Sequence, residues 1–435
     1  MTPPPRAAHG TPDAAPSDAS AAAPVRPSAV TVDSAVLAEA RRLAPEAVAL
    51  RRALHGGPEL GLDLPGTQRL ILDALDGLGL EIRTGRALSS VTATLAGAAD
   101  GPTILLRADM DALPVAEDTG LPFASRTPGL MHACGHDAHM AMLVGAARLL
   151  AGRRAALAGR VVFMFQPGEE GEHGARHMIE EGVLEASGVR AGAAFALHVH
   201  PNMPAGALRL RPGPQMAASD RFRVLVRGRG GHASAPQTTC DPVPVACEIV
   251  LALQTAVTRG VAADDSAVLS VTRLTAGTAS GVIPDSAELA GTLRTLAEPT
   301  RQRLHAAIAR VARGVAAAHA ATAEVTVTPG YPVTVNDAEF TDLVLRAGTS
   351  VLGAEAVDVL PAPLMTAEDF SYVIRAVPGA LAFLGVCPPD VEPHEAPSLH
   401  SSRMVLDEDA LAAGIACEAA VALAFLAGRG PEPVR

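Results

Sequence analysis

Two kinds of hydrophobic pattern share this chain, one nested inside the other, and the nesting restricts the fold more than any other feature. Short apolar runs that read as strands (VTATLAG, PTILLRADMDALP, GRVVFMFQP and AGAAFALHVHP) alternate with helical stretches such as HMAMLVGAARLLAG. Strands apolar on both faces and separated by helices predict a mostly parallel sheet covered on both sides. Near Arg211 the pattern changes. RFRVLVRG reads as a strand and DPVPVACEIVLALQTAVTRG as a helix. SAVLSVTRLTAG and AELAGTLRTLAE alternate with period two, TRQRLHAAIARVARGVAAAHAA is helical again, and AEVTVTPGYP closes the series as a strand. That βαββαβ order predicts a small ferredoxin-like unit. From about residue 331 the first pattern resumes and runs to IACEAAVALAFLAG. The expected class is α/β: a mixed, mostly parallel sheet in a larger domain (residues 34–211 and 331–435) and an inserted domain (212–330) able to act as a lid. Residues 1–33 are rich in Ala, Pro and Ser without periodicity and are expected to be disordered.

Composition removes several classes of function. The net charge is −11, there is no lysine, and only nine Phe and two Tyr supply aromatic rings. A nucleic-acid surface needs basic patches and stacking platforms, so no nucleic-acid partner is expected. The five cysteines are odd in number and irregularly spaced, which argues against a disulfide framework. The first residues lack the apolar stretch of a secretory signal. No apolar run is read as reaching the eighteen or so residues of a membrane span. The expectation is a cytoplasmic protein with no membrane partner.

Metal-competent side chains gather at the predicted strand ends, where open α/β sheets bind ligands. MHACGHDAH holds His132, Cys134, His136, Asp137 and His139. A thiolate and an imidazole two residues apart on a loop can reach one ion. VVFMFQPGEEG stops at Glu169 and Glu170, so one carboxylate could ligate while the other stays free as a base. In AFALHVHP, His198 and His200 share one side of a strand. His232 follows a Gly-rich turn in GRGGHASAP, and His400 lies in SLHSSRM downstream of Glu368 and Asp369. Taken singly, the glutamates read as a solvated helix start and the lone histidines as ordinary strand-end or loop residues. Taken together they call for one hydrolytic metal site. No Gly-x-Ser-x-Gly elbow, phosphate loop or dinucleotide fingerprint competes.

The order LRADMDALP, MHACGHDAH, FQPGEEG, ALHVHP, GRGGHASAP and LHSSRM resembles the aminoacylase/carboxypeptidase family of di-metal peptidases. It looks closest to the amidohydrolase branch, which includes hippurate hydrolases, N-acyl-amino-acid amidohydrolases and auxin-conjugate hydrolases. The resemblance implies two divalent ions per subunit, manganese or zinc first and cobalt or nickel as further options. It implies Cys134, His136, Glu170, His198 and His400 as ligands and Glu169 as general base. His232 would stabilise the oxyanion, reaching across from a partner subunit, and Arg294 would grip a substrate carboxylate. The inserted domain would also form the interface of a homodimer or homotetramer. Where the wider family usually has a metal-binding His this chain has Asp109, and the bridging Asp is expected near Asp137. One departure stands out: Gly281 occupies the position of a substrate-holding Asn. The implied activity is hydrolysis of N-acyl amino acids or related small amides. A dipeptidase or carboxypeptidase on the same fold, and a non-catalytic relative that binds small molecules, are the competing expectations.

Overall fold

The computed structural model describes residues 35–428, so the expectation for the first 33 residues lies outside the described residues. An eight-stranded sheet carries the larger unit. Its spatial order is Glu81–Thr84, Val91–Ala96, Ala158–Gln166, Ala99–Asp109, Ala193–His200, Gly379–Gly385, Leu208–Leu210 and Val357–Val359. Ala158–Gln166, Ala99–Asp109, Ala193–His200 and Gly379–Gly385 run parallel to one another; the strands on either side join them antiparallel, and the edge strand Val357–Val359 runs parallel to Leu208–Leu210. These four strands are buried along nearly their whole length, which is why the sequence shows continuous apolar runs there. Helices Ala35–His55, His136–Gly152 and Leu411–Ala427 pack on one face, and the shorter Gly174–Glu180 and Ser371–Ala376 on the other.

Between the parts of this sheet the chain forms a second one. Its order is Ala267–Ala276, Ser286–Thr295, Ala218–Arg227 and Thr322–Pro329, antiparallel throughout. Helices Pro242–Gly260 and Glu298–Ala318 cover one face, giving the ferredoxin-like arrangement. The other face is open, and burial alternates strictly along Ser286–Thr295. The two connections to the larger unit pair with each other, as Gly213–Met216 against Thr334–Asn336.

One reading of the sequence needs correction. Two helices, Pro242–Gly260 and Glu408–Ala427, are long and apolar enough by length and composition to cross a membrane. The second is 89% buried inside the protein, so its hydropathy is that of a central core helix, and the first lays Val245, Ala246, Ile249 and Leu253 on the small sheet.

That core helix contains Glu418, which is 1% exposed, with Oε2 unpartnered and its carboxyl held well above the usual range by burial. Folding therefore selects the neutral acid. The stability it permits is fully present below the unfolded pKa of about 4.3 and declines by about 1.4 kcal/mol per pH unit as pH rises toward the folded pKa. Glu418→Gln should remove this dependence. Denaturant unfolding at pH 5 and pH 7.5 should show the variant gaining on the parent at the higher pH. Equal differences at both pH values would show that Glu418 is ionised in the native protein.

Candidate active site

The C-terminal ends of the parallel strands meet the start of helix His136–Gly152, and the polar side chains collect there. Helix entry is set by Gly135, whose φ is 85°; a Cβ on it would lie 2.3 Å from Val199 Cγ2. Only glycine fits both the left-handed backbone and the contact. It places Cys134 and His136 on either side of the turn, beside the end of strand Ala193–His200.

The buried imidazoles are oriented by backbone carbonyls. His136 Nδ1 lies 2.8 Å from Asp111 O and His198 Nδ1 lies 2.7 Å from Val199 O. Each Nδ1 must donate, which leaves Nε2 with a free lone pair. His198 Nε2 is 3.6 Å from Cys134 Sγ, and His136 Nε2 is buried without a hydrogen-bond partner. His400 Nε2 sits 3.2 Å from Glu170 Oε1. His400 holds a left-handed φ of 68°, and its N–H donates to Ala133 O at 2.9 Å, which ties it to the Cys134 loop. A non-glycine residue in that region is strained, and such strain concentrates at functional sites. Hydrogen bonding to Cys134 and Glu170 raises the His400 pKa to about 10.

Among the close groups of donor atoms are His136–Glu169–Glu170 and two triads, Cys134–His136–His198 and Cys134–Glu170–His400, with atoms in each within 4.8 Å of one another. Cys134 belongs to both. Soft thiolate, imidazole and carboxylate form a donor set suited to divalent transition metals. The orphaned lone pair of His136 is what such a site leaves when no cation is counted.

Glu169 stands beside them, 7% exposed. Burial and the neighbouring Glu368, Glu170 and Asp369 carboxylates push its carboxyl well above the ordinary range. Its backbone is held on two sides. Asp111 Oδ1 accepts from Glu169 N–H and Oδ2 from Glu170 N–H, both at 2.9 Å. Tyr331 donates its hydroxyl proton to the Glu169 carbonyl and accepts from Gly171 N–H at 2.6 Å. Tyr331 lies two residues beyond the last strand of the small sheet, Thr322–Pro329, and its carbonyl accepts from Ser219 N–H at 2.9 Å. The Glu169 loop is thus bonded to the connection between the two units. Tyr331→Phe removes both hydroxyl bonds while Gly171 N–H still reaches the Glu169 carbonyl at 2.7 Å, so it should cost about 1 kcal/mol. Denaturant unfolding checks this, and an unchanged midpoint would contradict it.

Behind the site, Arg107 ties four side chains together. It reaches Asp109 Oδ2 at 2.7 Å, and Glu368 Oε1, Asp369 Oδ1 and Gln166 Oε1 each at 2.9 Å. Asp109 also contacts His139 Nδ1 at 2.6 Å, while His139 Nε2 accepts from Val199 N–H at 2.8 Å. Both nitrogens of His139 are therefore spent on the protein, and its role is support. Asp109 lies 3.5 Å from His136 Nε2. Arg107, Asp111 and Tyr331 carry no motif that marks them in the sequence. The period-two spacing of Arg107, Asp109 and Asp111 at a strand end was the available signal.

Not every expected residue arrives. Asp137 turns away from the triads, and its Oδ2 is bound by Arg51 Nε at 2.9 Å and His55 Nδ1 at 2.8 Å. Asp109 and Asp111, not Asp137, are the aspartates beside His136. His132 is buried with both ring nitrogens unpartnered, and burial lowers its pKa to about 4, so it stays neutral.

A cavity of about 500 Å³ opens over the triads, lined by Cys134, Glu169, Glu170, His198 and His400 and also by Arg294 and Tyr331. His200 and Glu368 also line it. Neither His232 nor Gly281 does. They are neighbours on a separate two-stranded ladder, where Val282 pairs with His232 and Ala233 N–H donates to Gly281 O at 3.0 Å. Ser234 N–H lies 3.1 Å from His232 Nδ1, which must accept, so the exposed Nε2 carries the proton. Nothing stands within 4 Å of a Cβ placed on Gly281.

The sequence matches peptidase family M20/M25/M40 over residues 105–424. It is 40% identical to N-acetylcysteine deacetylase of Bacillus subtilis, over 83% of this chain and 92% of that protein. It is 37% identical to thermostable carboxypeptidase 1 of Saccharolobus solfataricus, over 87% of this chain and 95% of that protein. Among solved structures, a dinuclear metal-binding peptidase of the M20 family from Bacillus subtilis superposes with a TM-score of 0.76. It shares 35% identity with this chain, covering 89% of it and 99% of the peptidase.

Proposed function

The chain belongs to peptidase family M20/M25/M40 and is an amide-bond hydrolase, and from that premise we propose that it removes the acyl group from N-acyl amino acids. The observation that carries this reading is the pair of triads sharing Cys134 beside the buried Glu169, with Cys134, Glu169, Glu170, His198 and His400 lining one cavity that Arg294 also lines. Cys134, His136, Glu170, His198 and His400 would hold two divalent cations. Zinc suits the thiolate and imidazoles best, and manganese is the second choice. The bound cations supply Lewis acidity and make water a nucleophile at neutral pH.

Within this reading the protein's own groups do the following. Glu169 takes a proton from the attacking water and returns it to the leaving amine. Its backbone, pinned by Asp111 and Tyr331, fixes where the proton is received. Arg294 binds the α-carboxylate and so places the scissile amide over Glu169. His232, exposed and outside its own cavity, would serve the site of a second subunit in a homodimer, with Nε2–H as oxyanion donor.

A panel of N-acetyl, N-benzoyl and longer N-acyl amino acids beside free-amine dipeptides and N-blocked dipeptides tests the reading. Amine release from the N-acyl amino acids supports it. Release from peptides alone moves the assignment to a dipeptidase or carboxypeptidase, which the same carboxylate grip would serve.

A further inference from the structure

The open face of the small sheet carries five arginines: Arg221, Arg223 and Arg227 on one strand, Arg294 on the next and Arg273 on the edge strand. Three are neutralised locally. Arg223 and Arg273 both pair with Glu288, and Arg227 pairs with Glu324. The other two, Arg221 and Arg294, have no hydrogen-bonded or ion-paired partner among the described residues, and they are the two that line the cavity over the triads. Register explains why they meet. Arg294 stands opposite Ser219 and Arg221 opposite Thr292, so the two lie diagonally on one face. Long side chains converge easily at that diagonal spacing of about 7–8 Å. Burial lowers the Arg294 pKa and Arg221 adds to that, against the opposing pull of Asp220. On a face where every other arginine has a carboxylate, two like charges left unpaired inside a cavity call for an anionic ligand with two acidic groups.

Building on the amidohydrolase reading, we propose that the preferred substrates are N-acyl derivatives of a dicarboxylic amino acid, glutamate or aspartate, with Arg294 on the α-carboxylate and Arg221 on the side-chain carboxylate. Arg221 is then the residue that sets specificity. A charge-assisted hydrogen bond to the second carboxylate should favour the acid over its neutral isostere by about 10-fold or more.

The test compares kcat/KM for N-acetyl-L-glutamate and N-acetyl-L-glutamine in the parent protein, Arg221→Gln and Arg221→Lys. The expected result is a glutamate-to-glutamine ratio of about 10 or more in the parent, near 1 in Arg221→Gln, and partly restored in Arg221→Lys. A parent ratio near 1, or a ratio that survives Arg221→Gln, overturns the proposal. Equilibrium binding of the same pair to the Glu169→Gln protein separates this claim from the one beneath it. Tighter glutamate binding in a protein whose parent shows no turnover would keep the dicarboxylate site and sink the hydrolase reading. Equal affinities overturn the site itself.

Discussion

Glu169→Gln should lower kcat for amide hydrolysis by about 10²- to 10⁴-fold, the usual worth of a positioned general base. Metal content and KM should change little. Gln is isosteric, and the groups that fix the loop, Asp111 and Tyr331, bind the backbone at residues 169–171 and not the side chain. The nearby Glu170, which stands with Cys134 and His400, is untouched. Metal analysis beside steady-state kinetics separates the outcomes. A large fall in kcat with metals retained supports the assignment, and full activity in the variant removes Glu169 from the chemistry.

The second large effect is on stability. Arg107→Met should cost about 3–5 kcal/mol or prevent folding, because it strands Asp109, Glu368 and Asp369 without their shared counter-ion in the interior. Arg107 is 3% exposed and Asp109 and Asp369 are 0% exposed, so water cannot replace it. Desolvation alone would raise the Asp109 pKa. Arg107 and the two neighbouring histidines instead hold it well below the carboxylate range. Urea unfolding of the variant checks this, and an unshifted midpoint would mean that the acids are protonated or paired some other way.

These two residues also mark what the sequence makes visible. Glu169 and Glu170 are legible because an apolar strand that ends abruptly in two carboxylates breaks its own pattern. Cys134 and His136 are legible for the same reason: metal-competent atoms crowd a loop between strand and helix. The two-unit architecture follows from hydrophobic period, continuous where strands are buried on both faces and alternating where the small sheet has one open face. The network around Arg107 is hidden. Two of its four partners, Glu368 and Asp369, lie 261 and 262 residues away in the chain, and an arginine in LRADMD looks like any strand residue facing water. Asp137 misleads for a geometric reason. It adjoins His136 on a helix of about 3.6 residues per turn, so the next side chain points roughly 100° away, toward Arg51 and His55. The unpaired state of Arg221 needs the register of four strands and is likewise invisible in one dimension.

The central claim is that one metal-dependent site, built on Cys134, His136, Glu170, His198 and His400, performs the hydrolysis. The most direct test titrates the metal-stripped protein with zinc or manganese while following amine release from an N-acyl amino acid. No activity is expected without metal, and its return should saturate at two ions per chain. Undiminished hydrolysis by protein shown to hold no metal would contradict it.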